Sequence, residues 1–390
     1  MDTLKKETLS ELTGNILPFW LENMPDKSGG WKGRISGDGA ADPLSPKGCI
    51  LNSRILWTFS SAYRLLGREE YLEAARRTRE YLLGHFVDPK YGGTFWSLNP
   101  DGTPLDAKKQ FYAIAFAVYG LAEYARATGQ HPGEAISLFR SIESHSRDLG
   151  KGGYIEACSR DWSPIRDMRL SERDRNDAKT MNTHLHILEA YTCLCRVWPT
   201  EEAKEALAGC INIFLGKIIR PDGHLGIFFD EDWNSTSDMV SYGHDIEASW
   251  LLCEAAEVLG DKALTEKVRE MSAKIAFASL EGFGDGMMYE YTPSSGHIDS
   301  DRHWWVQAET VVGFLNQYRL TQKPVWLDFA REEWNFIKRH IIRPEGEWYW
   351  SAKSRPDGSF EPNTAEDLAG FWKCPYHNAR MCLEINEMQI

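Results

Sequence analysis

Residues 49–67 read CILNSRILWTFSSAYRLLG, with apolar side chains at three- and four-residue intervals and a closing glycine. That spacing predicts a helix that is apolar nearly all the way round and therefore lies inside the molecule. The next stretch, EEYLEAARRTREYLLGHF, keeps the same period but carries one charged face. It predicts a second helix covering the first. The pair recurs as KKQFYAIAFAVYGLAEYARATG with GEAISLFRSIESHS, and as AKTMNTHLHILEAYTCLCRVW with EEAKEALAGCINIFLGKI. An apolar helix under an amphipathic one, repeated along the chain, describes an inner ring inside an outer ring.

A second periodic signal has the same step. Short glycine turns followed by aromatic and β-branched residues occur at Gly29-Gly30, Gly92-Gly93, Gly152-Gly153, Gly223, Gly286 and Gly346, at intervals of 60 to 70 residues. Each turn predicts a short hairpin or strand, and six such units account for the whole chain. The sixth lacks its outer helix, because the chain ends after CPYHNARMCLEINEMQI. The N-terminal stretch LKKETLSELTGNILPFWLENM is a helix without a partner and can take that place. The expected fold is all-α: an (α/α)6 barrel of six helical hairpins, residues 1–390 as a single domain, with short β-hairpin excursions at one end. An open solenoid is the alternative, and bulky aromatics at the inner-helix starts favour closure around a pocket.

Composition narrows the function more than the fold. The net charge of −13 argues against nucleic acid and against an acidic membrane surface, since both need a positive field. The eight cysteines are scattered without a C-x-x-C pair, so neither a zinc site nor a disulfide framework is expected. The start MDTLKKETLSEL has no apolar signal-like run, and a cytoplasmic protein is expected, as a monomer or weak homo-oligomer. Fifteen tryptophans, fifteen tyrosines and seventeen phenylalanines serve equally well to fill gaps between helices and to stack on sugar rings.

In such a barrel all six inner helices begin at one end, so polar residues at their starts converge. The starts supply Arg54, Tyr112, Asn182 with His186, His244 with Glu247, Trp304 and Trp305 with Glu309, and Trp372 with His377. Asn182 and His186 are four apart and share a face, whereas His184 points elsewhere and reads as structural. His244 and Glu247 are three apart, which lets the carboxylate orient the imidazole or hold substrate beside it. Trp305 and Glu309 share a face; Trp304 lies about 100° round the helix and would need a helix start or a loop to reach the cavity. His85, His131, His145, His224, His297 and His340 fall in loops or on outer helices and carry no expected role, and His303, beside the rim, is undecided. No H-E-x-x-H, G-x-G-x-x-G or phosphate loop is present, so neither a metal nor a nucleotide cofactor is expected. Imidazoles, an arginine, glutamates and tryptophans around one cavity suit proton transfer on a sugar, because histidine can act as base and acid in one cycle.

The stretches KGCILNSRILW, FYAIAFAVYGL, KTMNTHLHILEAYT, SYGHDIEASWL, HWWVQAETVVGF and WKCPYHNARMC resemble the N-acylglucosamine 2-epimerase superfamily, and most closely its branch acting on cellobiose. They run in collinear order from Lys47 to Cys382. The resemblance implies an (α/α)6 barrel and cofactor-free inversion at carbon 2 of the reducing-end glucose of β-1,4-linked disaccharides, through ring opening and a cis-enediolate. It implies His377 as carbon-2 base and acid, and His244 as its partner in ring opening and proton shuttling. Arg54 and His186 would bind the carbonyl oxygen, and Asn182, Tyr112, Glu247 and Glu309 would hold hydroxyls. Trp304, Trp305 and Trp372 would shape or stack on the sugars. The loop ERDRNDAK near Asp174 is matched less closely.

Three other readings stay open on sequence. They are an aldose–ketose isomerase or a monosaccharide 2-epimerase on the same fold, an inverting glycoside hydrolase using Glu247 with Glu309 or Asp174, and a sugar-binding protein without catalysis.

Overall fold

The structure, a computed structural model, describes residues 1–172 and 174–389. Helices α1 (Asp2–Glu11) and α2 (Leu17–Asn23) open the chain. Five pairs follow: α3 (Cys49–Leu66) with α4 (Glu69–Tyr81), α5 (Phe111–Thr128) with α6 (Gly133–His145), α7 (Met181–Val197) with α8 (Glu201–Ile213), α9 (Tyr242–Leu259) with α10 (Lys262–Ser279), and α11 (Trp304–Thr321) with α12 (Pro324–His340). Helix α13 (Tyr376–Glu387) ends the chain.

The first helices of the pairs are buried over most of their length, as their all-round apolar pattern requires. Each packs on the next, α3 on α5, α5 on α7, α7 on α9, α9 on α11 and α11 on α13, and α13 returns to α3. The ring is therefore closed, not an open solenoid. The second helix of each pair packs outside its own partner, and α1 does the same for α13. Lys5 donates to the Met388 carbonyl at 2.6 Å, and Asn386 donates to Thr8 at 3.2 Å. Glu7 accepts from Trp334 on α12 at 2.7 Å. The two ends of the chain are thus tied into one wall.

The inner helices α3, α5 and α9 stop at Gly67, Gly129 and Gly260, whose φ angles of 67°, 71° and 78° are left-handed and free of a Cβ clash. Helix α11 stops at Gln322 with φ 55°, so the same stop is made there against side-chain strain.

The short strands brace the rim. The two residues entering an inner helix pair antiparallel with the strand beyond the next turn: Lys47–Gly48 with Ser97–Leu98, Lys109–Gln110 with Ala157–Cys158, and Lys179–Thr180 with Phe228–Phe229. Val240–Ser241 and Arg302–His303 do likewise with Glu290–Thr292 and Ser351–Ser354. Three of these entries carry a buried lysine held by the preceding turn, and Lys373, ahead of α13, is held in the same way. Lys47 meets Asp26 at 2.8 Å, Lys109 meets Asp88 at 3.0 Å, Lys179 meets Asp148 at 2.7 Å and Lys373 meets Glu347 at 2.7 Å. These pairs fix where each inner helix starts, and so where its first side chains point. All eight cysteines are buried and free, and among the described residues no helix is long and apolar enough to cross a membrane.

Candidate active site

A cavity of about 790 Å³ opens where the six inner helices begin. Arg54 from α3, Tyr112 from α5, and Asn182 and His186 from α7 line one side. His244 and Glu247 from α9, Trp304 and Trp305 from α11, Trp372 and His377 complete the wall. Trp304 and Trp305 are consecutive and yet both face the cavity. Trp304 is the first residue of α11, and its backbone N–H still bonds the Trp350 carbonyl at 2.9 Å, in the manner of the preceding strand. His303 also lines the mouth, stacked on Tyr289 at 3.9 Å between ring centroids. Met168 to Glu172, with Asp174, Arg175 and Asp177, contribute a charged edge; Arg173 is outside the described residues. His184 is buried, with Nδ1 2.6 Å from the Thr180 carbonyl and Nε2 accepting from the Tyr154 N–H, a structural arrangement.

Glu309 stands apart from the sequence expectation. It does not line the cavity; its oxygens meet His377 Nδ1 at 2.7 Å, Arg380 Nη2 at 2.7 Å and Trp250 Nε1 at 3.0 Å. A carboxylate only accepts, so Nδ1 of His377 carries the hydrogen and Nε2 is left with a lone pair on the cavity side. The expected His244–Glu247 pairing is not made either. His244 Nδ1 lies 2.7 Å from the Ser241 hydroxyl, and Glu247 accepts from Arg380 Nη2 at 2.5 Å. His186 Nδ1 meets Glu189 at 3.0 Å. By the same reasoning its Nε2 is an acceptor, suited to a sugar hydroxyl rather than to a carbonyl oxygen.

Burial drives the three wall histidines toward the neutral form. It pushes His377 down to about 3, helped by Arg54 and Arg380 and opposed by Glu309. His244, partly accessible from the cavity but deep in the barrel, falls to about 3 through desolvation and the neighbouring His186 and His377. His186 is lowered by burial against the pull of Glu189. Burial alone would raise Glu309, but Arg380 and His377 outweigh it and hold the carboxyl down to about 2. Glu247 is raised well above the ordinary carboxylate range by burial and by the charge on Glu309, against the pull of Arg380.

Two rings organise the reacting space. Trp305 contacts both catalytic candidates, 4.7 Å from His244 and 5.6 Å from His377 between centroids. The Arg54 guanidinium rests 4.1 Å over Phe116 and donates to the Tyr112 hydroxyl at 2.8 Å, which frees that O–H to donate onward. Arg54 Nε, Asn182 Oδ1 and Trp304 Nε1 are buried polar atoms without a protein partner. Lining a cavity, such atoms are the ones a polyhydroxyl ligand would satisfy.

Sequence reasoning missed Arg380, Glu189 and Tyr376. Arg380 is fully buried and bonds Glu189, Glu247, Glu309 and the Tyr376 hydroxyl. The available signal was spacing: Arg380 follows His377 by three residues, and Glu189 follows His186 by three. Among the described residues two groups have ligand atoms close enough to surround a metal ion. In one, Glu247, Glu309 and His377, the cation already present is Arg380. The other, Asp299, Asp301 and His303, lies at the mouth.

The model for the N-acylglucosamine 2-epimerase family (GlcNAc 2-epimerase) matches residues 29–377. A cellobiose 2-epimerase of Bacteroides fragilis is 54% identical over 391 residues, covering 98% of this chain and 99% of the relative. One from Ruminococcus albus is 39% identical, with 97% of each chain covered. The solved structure of cellobiose 2-epimerase from Bacillus thermoamylovorans superposes with a TM-score of 0.93 at 39% identity, covering 99% of this chain and 100% of that one.

Proposed function

The chain belongs to the N-acylglucosamine 2-epimerase family, and we propose that this carbohydrate epimerase inverts carbon 2 of the reducing-end glucose of β-1,4-linked disaccharides. Cellobiose would become glucosylmannose, and lactose would become epilactose. The observation that carries the reading is the pair of imidazoles, His377 and His244, both against Trp305 in one cavity, with His377 backed by Glu309. The relatives named for action on cellobiose support the substrate class.

The chemistry follows from what each side chain can donate or accept. His244, able to exchange a proton with Ser241, takes the hydrogen of the anomeric hydroxyl and returns one to the ring oxygen, which opens the sugar. In the open aldose, Nε2 of His377 removes the proton on carbon 2. The C–H electron pair becomes the C1–C2 double bond, and the carbonyl pair moves onto O1. The carbonyl is thus the electron sink for the step. Arg54 and the Tyr112 hydroxyl are the donors placed for the oxygen that gains charge, while Asn182 and His186 hold hydroxyls. Rotation about C2–C3 turns the other face of the cis-enediolate to the imidazolium, and return of the proton gives the mannose configuration.

Incubating the protein with cellobiose and with lactose, and reading the products by NMR, tests this. An intact disaccharide with a mannose reducing end is expected. Ketose signals would point to isomerisation, free glucose to hydrolysis and an unchanged sugar to binding alone, and each would contradict the reading.

A further inference from the structure

Beneath the cavity floor one guanidinium holds together groups from four inner helices. Arg380, on α13, receives Glu189 from α7, Glu247 from α9 and Glu309 from α11. Tyr376, one turn earlier on α13, bonds both Arg380 and Glu189. The Trp250 ring lies 4.8 Å from the guanidinium carbon, and the Tyr376 ring 4.3 Å. Each of the three carboxylates bears on the cavity wall: Glu309 supports His377, Glu189 supports His186, and Glu247 is itself part of the wall.

We propose that Arg380 is a positioning residue for the reaction: a fixed cation whose fork keeps Glu309 and Glu189 as acceptors against Nδ1 of His377 and His186, so that both imidazoles offer an unprotonated Nε2 to the sugar. The geometry requires a cation at this place. Three buried carboxylates within reach of one another repel, and without a counter-charge they take up protons. A protonated Glu309 could donate to Nδ1 and reverse the tautomer of the proposed base. A planar fork can meet several carboxylates at once, which an ammonium point charge cannot do with the same fixed directions.

The charges that bear on these imidazoles come from every packed element. Arg54 on α3 adds a second positive charge near His377 and His186, and His244 on α9 faces both across the cavity. From α5, the buried Tyr119 hydroxyl lies within the influence of Glu189 and Arg380. Glu384, further along α13, feels Arg380 and Arg196. Removing the Arg380 cation raises the proton affinity of every one of these groups, so the sign of the change is the same for imidazoles and carboxylates.

This role rests on the proton transfer proposed for His377, but it is read without any sugar present. The test is ¹⁵N NMR of the histidine rings in the full chain, titrated from acid to neutral pH. In the unaltered protein, His377 and His186 are expected as neutral Nδ1–H tautomers at pH 6; an imidazolium at either position there would overturn the proposal. In Arg380→Met the His377 midpoint is expected to rise by about 1–3 pH units, and an unmoved midpoint with an unchanged tautomer would overturn it. Arg380→Lys keeps the charge and loses the fork. It is expected to fold, to hold the midpoint closer to the original, and to lose about tenfold to a hundredfold in kcat with KM little changed. If Arg380→Met does not fold, the unaltered protein and Arg380→Lys decide the matter. If cellobiose is not epimerised, the ring titrations still stand or fall by themselves.

Discussion

Oε1 of Glu309 sits 2.7 Å from Nδ1 of His377, and this contact sets both the tautomer and the orientation of the proposed carbon-2 base. Because the carboxylate lies below the floor, its effect on the sugar passes through the imidazole. Glu309→Gln removes the charge that favours the imidazolium and lets an amide N–H face Nδ1. A loss of about 10²–10⁴ in kcat is expected with KM nearly unchanged, in line with other carboxylate–imidazole pairs. Steady-state kinetics on cellobiose check the split; a KM effect alone would mean that Glu309 binds substrate after all.

His377→Asn and His244→Asn each remove a proton carrier without emptying the core, since both side chains face the cavity. Turnover should fall by about two to four orders of magnitude, while circular dichroism and the melting temperature stay close to the parent. Activity above about a tenth of the parent's in either variant would remove that residue from the proton path.

A base must be neutral to work, and His244 and His377, the two imidazoles proposed to move protons, are lowered from 6.5 to about 3. Their neutral form is complete well above that value and is lost as pH falls through it. The acid limb of kcat/KM should therefore lie below about pH 5, with no inflection near 6.5 from either ring. A pH–rate profile that bends at the ordinary histidine value would contradict the placement of these rings in a desolvated site.

Away from the site, both oxygens of Glu333 on α12 are buried without a hydrogen-bond partner, and burial raises this carboxyl well above 4.5. Below pH 4.5 the folded and unfolded states both hold the proton. As pH rises the unfolded chain releases it first, so stability falls with pH across that window. Glu333→Gln ends the penalty and should stabilise the protein by about 1–3 kcal/mol at pH 8. Urea unfolding at pH 8 and pH 4.5 checks this, with the gain confined to the higher pH.

Ending the chain at Lys373 would remove α13, which packs on α1, α3 and α11. It would also remove His377 and Arg380. Complete loss of activity is expected, with a lower melting temperature because the ring loses its closing contacts.

The repeat made the barrel legible from sequence, and every expected site residue except Glu309 lines the cavity, because a helix start is marked both by its turn and by its apolar period. Periodicity gives the face of a helix but not the depth along the barrel axis. Glu309 shares a face with Trp305, yet four residues carry it about 6 Å deeper, below the floor. Glu247, three residues beyond His244, likewise reaches Arg380 instead of the imidazole. Glu189 and Arg380 sit at that deeper level and look, in sequence, like ordinary charged residues on a helix. The buried lysines of the rim escaped notice for another reason: their partners lie 21 to 31 residues away in the turns, at no helical spacing.

The central claim is that a histidine in this cavity exchanges the proton on carbon 2. Cellobiose incubated with the protein in heavy water, followed by NMR of the intact disaccharide, tests it most directly. The account predicts a mannose reducing end carrying deuterium at carbon 2, and no deuterium or product in His377→Asn. Epimerised sugar that keeps its original hydrogen at carbon 2 with no solvent exchange even at long times, or undiminished exchange in His377→Asn, would contradict it.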